Sequence, residues 1–133
     1  MLSTLSPHVL IAEDDSFAAM ALKEFLCWSG CRVTVAHDGL QALAAYRKEA
    51  ADIVVTDVMM PRLDGNGLIR ELWAVNPDLP VVAITGDVTR LNPEHLQCAT
   101  SHRFASLTKP VKPGQLIESI RFLLTNKQEL QSA

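Results

Sequence analysis

The chain has 133 residues, 48% of them hydrophobic and 20% charged, with a formal net charge of −3. That size and balance describe one ordinary soluble domain with a real core, and they exclude a disordered chain. No basic excess is present to attract nucleic acid or an anionic membrane, and no apolar run approaches the roughly 18 residues expected of a membrane span.

The N-terminus, MLSTLSPHVLIAEDD, has no basic region and runs from its apolar stretch straight into acids, unlike a signal peptide. The cysteines are Cys27, Cys31 and Cys98. An odd count without a CxxC pattern fits free thiols in a reducing cytoplasm. Cys27 and Cys31, four apart, read as packing at a helix end.

Apolar runs then alternate with amphipathic stretches. His8–Ala12 (HVLIA) is a short apolar strand. Residues 17–29 place Leu22, Phe25, Leu26 and Ser29 at helical spacing, with Gly30 as the stop. Arg32–Ala36 is β-branched and alternating, hence a strand. Residues 39–49 form a helix with Leu40, Leu43 and Ala44 on one face. Residues 52–56 (DIVVT) are apolar on both faces, which suits the middle of a parallel sheet covered on both sides. Pro61 and the Asp64-Gly65 turn lie within 60–67, before a helix over 68–75. Pro77 and Pro80 bound a loop, and Val81–Thr85 (VVAIT) is a further apolar strand. Asn92 and Pro93 mark an N-cap and first turn of a short helix over 94–99. Residues 103–107 are a weaker strand. Residues 115–124 are a helix, with Leu116, Ile120, Leu123 and Leu124 in phase.

These are five β-α pairs in about 125 residues, which implies an α/β domain with a parallel sheet and helices on both faces. We expect residues 8–126 to form the domain, with 1–7 and 127–133 as short terminal extensions. Parallel sheets of this kind place their ligands beyond the carboxyl ends of the strands. There the sequence sets Glu13-Asp14-Asp15, Asp57, Thr85-Gly86 and Thr108-Lys109-Pro110. Crowded carboxylates repel and resist ionisation, and a hard dication such as magnesium relieves this through carboxylate oxygens. A carboxylate beside such an ion can attack phosphorus and form an aspartyl phosphate. Lys109 and the Thr85 hydroxyl are then suited to phosphoryl oxygens, since phosphoryl transfer is mainly positioning and charge neutralisation.

The segments VLIAEDDS, VVTDVMMPRLDG, VVAITG and LTKPVKP, spread from His8 to about Leu124, resemble the receiver domains of bacterial response regulators. The resemblance implies a flavodoxin-like three-layer (βα)5 fold with a parallel five-stranded sheet in the order 2-1-3-4-5. It implies a metal-binding acid pair at Glu13 and Asp14 and a phosphoacceptor at Asp57. It further implies a backbone-carbonyl ligand from Met59, a switch hydroxyl at Thr85, a lysine at Lys109 and a cis bond before Pro110. The cofactor it implies is Mg2+. The partner it implies is a phosphohistidine on a histidine kinase or histidine phosphotransfer protein. The output it implies is altered binding by the surface of the fourth helix, fifth strand and fifth helix, with a homodimer as an open assembly. Met59 and Asp87 flank the phosphoryl position and are candidates for tuning its lifetime.

One position departs from the common pattern. Many receivers carry an aromatic residue three before the lysine, whose ring turns inward on activation; here it is Ser106. The LTKPVKPGQL segment is more similar to receivers fused to hybrid sensor kinases, so a stand-alone receiver and one cut from a hybrid kinase are both open. Phe104 is read as a core residue.

Other readings explain less. Asp15, and the acid run as a whole, also suits a helix N-terminus. A haloacid-dehalogenase-type phosphatase would place a second acid two residues after its nucleophile, where this chain has Met59, and would need room for a cap. A receiver kept only as a binding module would normally have lost an acid or the lysine. His8, His37, His95 and His102 lack ligand spacing and read as surface or partly packed. Met20, Met59 and Met60 read as packing residues.

Overall fold

Strands that are apolar on both faces can only be buried on both, and the chain satisfies them by stacking them edge to edge between two layers of helix. The computed structural model describes residues 6–94 and 103–132, with side chains as far as residue 125. Its strands are β1 (His8–Ala12), β2 (Arg32–Ala36), β3 (Ile53–Asp57), β4 (Val81–Thr85) and β5 (Phe104–Thr108). Its helices are α1 (Ser16–Trp28), α2 (Gly39–Lys48), α3 (Gly65–Val75) and a C-terminal helix (Pro113–Ser132), with a 3-10 turn at Val88–Arg90. All strand pairs are parallel, in the order β2-β1-β3-β4-β5, as expected.

The period-two alternation of the strands separates two cores. On one face Leu10, Val54, Val81 and Ala83 meet Ala42, Leu43 and Tyr46 of α2 and Leu68, Ile69 and Leu72 of α3. On the other, Val9, Ile11, Ile53, Val55, Val82 and Ile84 meet Leu26 of α1 and Leu116, Ile120 and Leu123 of the C-terminal helix. Each fully buried Leu, Ile or Val adds about 1.5–3 kcal/mol relative to exposure. Phe104 lies in the first core, as read from the sequence.

Several boundaries and faces move. Strand β3 runs one residue further than expected, so Asp57 belongs to it: Asp57 pairs in register with Ile84. Helix α3 begins three residues early, because the Asp64 carboxylate caps the Gly67 N–H at 2.8 Å. The last helix extends from Pro113 to Ser132. On α2 the buried face is Gly39, Ala42, Leu43 and Tyr46; Leu40 and Ala44 are exposed. The phase is set by Asp38, which caps the helix, and by Gly39, whose Cα is pressed against Leu63. His8 is buried, beyond the surface or partly packed position expected, with Nε2 2.8 Å from Thr34 Oγ1 and Nδ1 facing Glu49 Oε1 at 3.3 Å. Met20 and Met59 are exposed, and only Met60 packs against the core. Pro93 and Glu94 are helical; the rest of the helix expected over 94–99, with His95, Cys98 and His102, lies outside the described residues. Cys27 is an exposed free thiol and Cys31 a buried one. Burial pushes the Cys31 thiol up to about 11. Among the described residues no helix is long and apolar enough to cross a membrane.

Candidate phosphoryl-acceptor site

The carboxyl ends of β1, β3, β4 and β5 meet on one rim, and backbone pairing continues past each strand to set the geometry there. The Glu13 N–H donates to the Ala36 carbonyl at 3.0 Å and the Val58 N–H to that of Ile84 at 3.1 Å. The Lys109 N–H donates to the Thr85 carbonyl at 2.9 Å, so the lysine leaves β5 beside the end of β4. The Lys109-Pro110 bond is cis, as the resemblance implied.

Carboxylate oxygens of Glu13, Asp14 and Asp57 lie within 4.8 Å of one another. Glu13 and Asp57 are buried; Asp14 is exposed. Asp15 faces away and caps α1, accepting from the Phe17 N–H at 2.9 Å and the Ala18 N–H at 3.2 Å. Lys109 Nζ reaches Asp57 Oδ2 at 2.8 Å and Glu13 Oε1 at 3.8 Å. The Met59 N–H donates to Asp57 Oδ1 at 3.3 Å.

Burial pushes the Glu13 carboxyl from 4.5 up to about 7, against a hydrogen bond from the Asp15 N–H; the Asp57 charge adds to the rise and that of Lys109 opposes it. Burial pulls the Lys109 ammonium down, but its hydrogen bond to Asp57 and the charges of Asp57, Glu13 and Asp14 outweigh this and hold it above its ordinary value. Three crowded hard oxygen donors, one of them reluctant to ionise, fit a magnesium ion by size and charge.

Thr85 is buried at the end of β4, where its hydroxyl donates to the Asp87 carbonyl at 2.9 Å and accepts from the Asp87 N–H at 3.0 Å. Asp87 turns its carboxylate to Thr89, whose N–H and hydroxyl it accepts at 3.0 and 2.6 Å, and these bonds hold its pKa below the ordinary range. Ser106 is exposed on β5.

The loop between β3 and α3 is braced on two sides. Arg62, at a positive φ of 69°, places Nε 2.8 Å and Nη2 2.7 Å from the buried Asp38 Oδ2. Gly65 sits against the Asp57 backbone, where a Cβ would run into the Asp57 carbonyl oxygen and come within 2.8 Å of Val58 Cα. Sequence reading found Asp64-Gly65 as a turn but missed Asp38, Arg62, Asn66 and Arg90. Polar side chains acquire distant partners only when separate segments meet, and none of these four carried a spacing signal.

A cavity of about 570 Å³ opens beside the acids, between α1 and the segment after β5, and is lined by Glu13, Leu22, Phe25, Lys109, Pro110 and Val111 among others.

A doubly covered parallel sheet, with three carboxylates, a hydroxyl and a lysine gathered on its C-terminal rim, is the arrangement of the α/β proteins whose ligands lie beyond the strand ends. The family model for the response regulator receiver domain matches residues 9–121. The chain belongs to that family, whose members serve two-component signalling. Over 81 residues, 61% of this chain, it is 38% identical to the response regulator MprA of Mycobacterium ulcerans, of which the match covers 35%. The chain thus spans about a third of the length of the curated relatives it matches. The receiver domain of Francisella response regulator 1452 is similar at a TM-score of 0.78 and 31% identity, over 91% of this chain and 98% of that one. A response regulator receiver domain protein from Clostridium thermocellum shares the fold, with a TM-score of 0.82 at 24% identity over 93% and 98%.

Proposed function

We propose that Asp57 accepts a phosphoryl group from a phosphohistidine on a histidine kinase or histidine phosphotransfer protein, in a magnesium-dependent step in the cytoplasm. The observation that carries this reading is the set of Glu13, Asp14 and Asp57 oxygens within 4.8 Å, closed on one side by Lys109 at 2.8 Å from Asp57.

An Asp57 carboxylate oxygen attacks phosphorus in line with the departing imidazole nitrogen. The O–P bond forms, the P–N bond breaks, and the nitrogen keeps the electron pair and takes up a proton. Magnesium, when bound, supplies neutralisation of the charge shared between the carboxylates and the transferring group. Glu13, Asp14, Asp57 and the Met59 carbonyl are the ligands we assign to it. Lys109 holds the free Asp57 oxygen before transfer and pairs with a phosphoryl oxygen afterwards. Thr85 releases the Asp87 backbone to donate its hydroxyl to another. The cavity beside Glu13 and Lys109 leaves room for the donor to approach.

The new charge then shifts the balance between two packings of the segments that follow β4 and β5. The readout is altered binding by the surface of β5, the C-terminal helix and the segment between β4 and β5. Acceptance rather than steady phosphatase turnover is favoured because Met59 stands where a turnover enzyme of the haloacid-dehalogenase type carries its acid/base. Both a stand-alone receiver and one carried by a hybrid kinase use the site in this way.

The test is intact-mass measurement after treatment with phosphoramidate and magnesium chloride. One phosphoryl group should be gained by the native chain and none by Asp57→Asn. Equal gain by both would assign the acceptor elsewhere.

A further inference from the structure

Position 106, three residues before Lys109, carries an exposed serine in place of an aromatic ring, so a contact elsewhere has to hold the segment after β4. The described residues contain one. In the first turn of α3, the Asn66 side chain uses both ends of its amide on that segment: Nδ2 donates to the Arg90 carbonyl at 2.8 Å, and Oδ1 accepts from the Asn92 N–H at 2.9 Å. Asparagine favours a helix less than most residues, so helix stability does not explain its place there.

The segment so held reaches the acceptor through Met59. The Arg90 guanidinium lies 3.7 Å from Met59 Sδ and 4.0 Å from Asp87 Oδ2, while Met59 donates its N–H to Asp57 Oδ1. Asn66 therefore grips the backbone of the residue that bridges the two positions flanking Asp57. Leu91, between the gripped groups, is buried in the core and closes the same attachment.

We propose that Asn66 is a positioning residue for the phosphoryl chemistry, a latch that holds the segment after β4 in its resting arrangement and sets how readily Thr85 swings to a phosphoryl group on Asp57. The proposal rests on the reading of Asp57 as acceptor. Two hydrogen bonds made in one arrangement and lost in the other bias the equilibrium by their difference, so removing them shifts the population toward the arrangement that receives the phosphoryl group.

The experiment compares the native chain with Asn66→Ala and Asn66→Asp. Asn66→Asp keeps an acceptor for the Asn92 N–H and loses the donor to the Arg90 carbonyl. Three quantities are read: backbone amide shifts of residues 85–92 in the unphosphorylated protein, with beryllium trifluoride and magnesium defining the phosphoryl-bound end point; the rate of phosphorylation by phosphoramidate; and the urea unfolding midpoint. Asn66→Ala should move the resting shifts along the line toward the beryllium trifluoride positions and speed phosphorylation roughly three- to tenfold. Asn66→Asp should fall between it and the native chain. A loss of stability alone lowers the urea midpoint but leaves the shifts off that line and the rate unraised. That result overturns the latch while the native chain still takes up phosphoryl groups. A native chain that gains no phosphoryl group and shows no beryllium trifluoride end point overturns the acceptor reading, and the latch with it.

Discussion

Lys109 and Asp57, 52 residues apart in the chain, meet at 2.8 Å across the ends of β5 and β3. The ammonium compensates a carboxylate that is buried and already crowded by Glu13, at 3.8 Å from the same nitrogen. One cation thus serves two acids, and the pair occupies the place where a phosphoryl group is proposed to sit.

Replacing the lysine tests that arrangement. Lys109→Met keeps the length of the side chain and removes the charge. Phosphorylation of Asp57 by phosphoramidate should slow by about 100-fold, the scale on which a preorganised electrostatic donor acts. The measurement is the single-exponential rate of mass gain at saturating magnesium, and a rate within twofold of the native value would remove Lys109 from the chemistry.

Glu13 makes stability depend on pH. Its carboxyl is raised by burial from 4.5 to about 7 in the folded chain, so the folded state holds this proton more tightly than the unfolded state. Its contribution is fully present below pH 4.5, is lost as pH rises toward 7, and stays lost above; the total is on the order of a few kcal/mol. In metal-free buffer the urea midpoint should fall between pH 5 and pH 8, and Glu13→Gln should flatten that fall. Magnesium chloride should raise the native midpoint more at pH 8 than at pH 5, because the ionised site binds it. An equal fall in Glu13→Gln would locate the effect in other groups.

Gly65 is required by the close approach of α3 to the acceptor strand. A methyl group there would strike the Asp57 carbonyl oxygen and crowd Val58 Cα, neither of which is the end of a flexible side chain. Gly65→Ala should destabilise the domain by about 2 kcal/mol, the scale of overpacking. It should also slow phosphorylation by displacing Asp57. Urea unfolding gives the first quantity and mass gain the second.

Asp87 is tied by its backbone to the Thr85 hydroxyl and by its carboxylate to Thr89. Its backbone lies beside the Thr85 hydroxyl at the end of β4, and a carboxylate released from Thr89 there would be a polar group able to hold an attacking water. Asp87→Ala should lengthen the lifetime of phosphorylated Asp57 by about threefold, measured as loss of the added mass after the donor is removed. An unchanged lifetime would remove Asp87 from hydrolysis and leave Met59 as the candidate.

The strands, their parallel pairing and the convergence of Glu13, Asp14, Asp57, Thr85 and Lys109 were legible in the amino-acid sequence. The reason is physical: a strand covered on both faces has to be apolar throughout, so the polar residue that ends it stands out, and a parallel sheet carries all such ends to one edge. The phase of α2, by contrast, was read as Leu40, Leu43 and Ala44, and only the docking of Gly39 against Leu63 turned Leu40 outward. The burial of His8 required Thr34 and Glu49 to come beside it, and the braces from Asp38 to Arg62 and from Asn66 to Arg90 and Asn92 join segments 24 to 26 residues apart. Local pattern carries hydrophobic period and strand ends because those are properties of one segment. The tertiary structure alone decides which polar side chains answer one another, since a hydrogen bond between loops depends on where two distant segments are brought together.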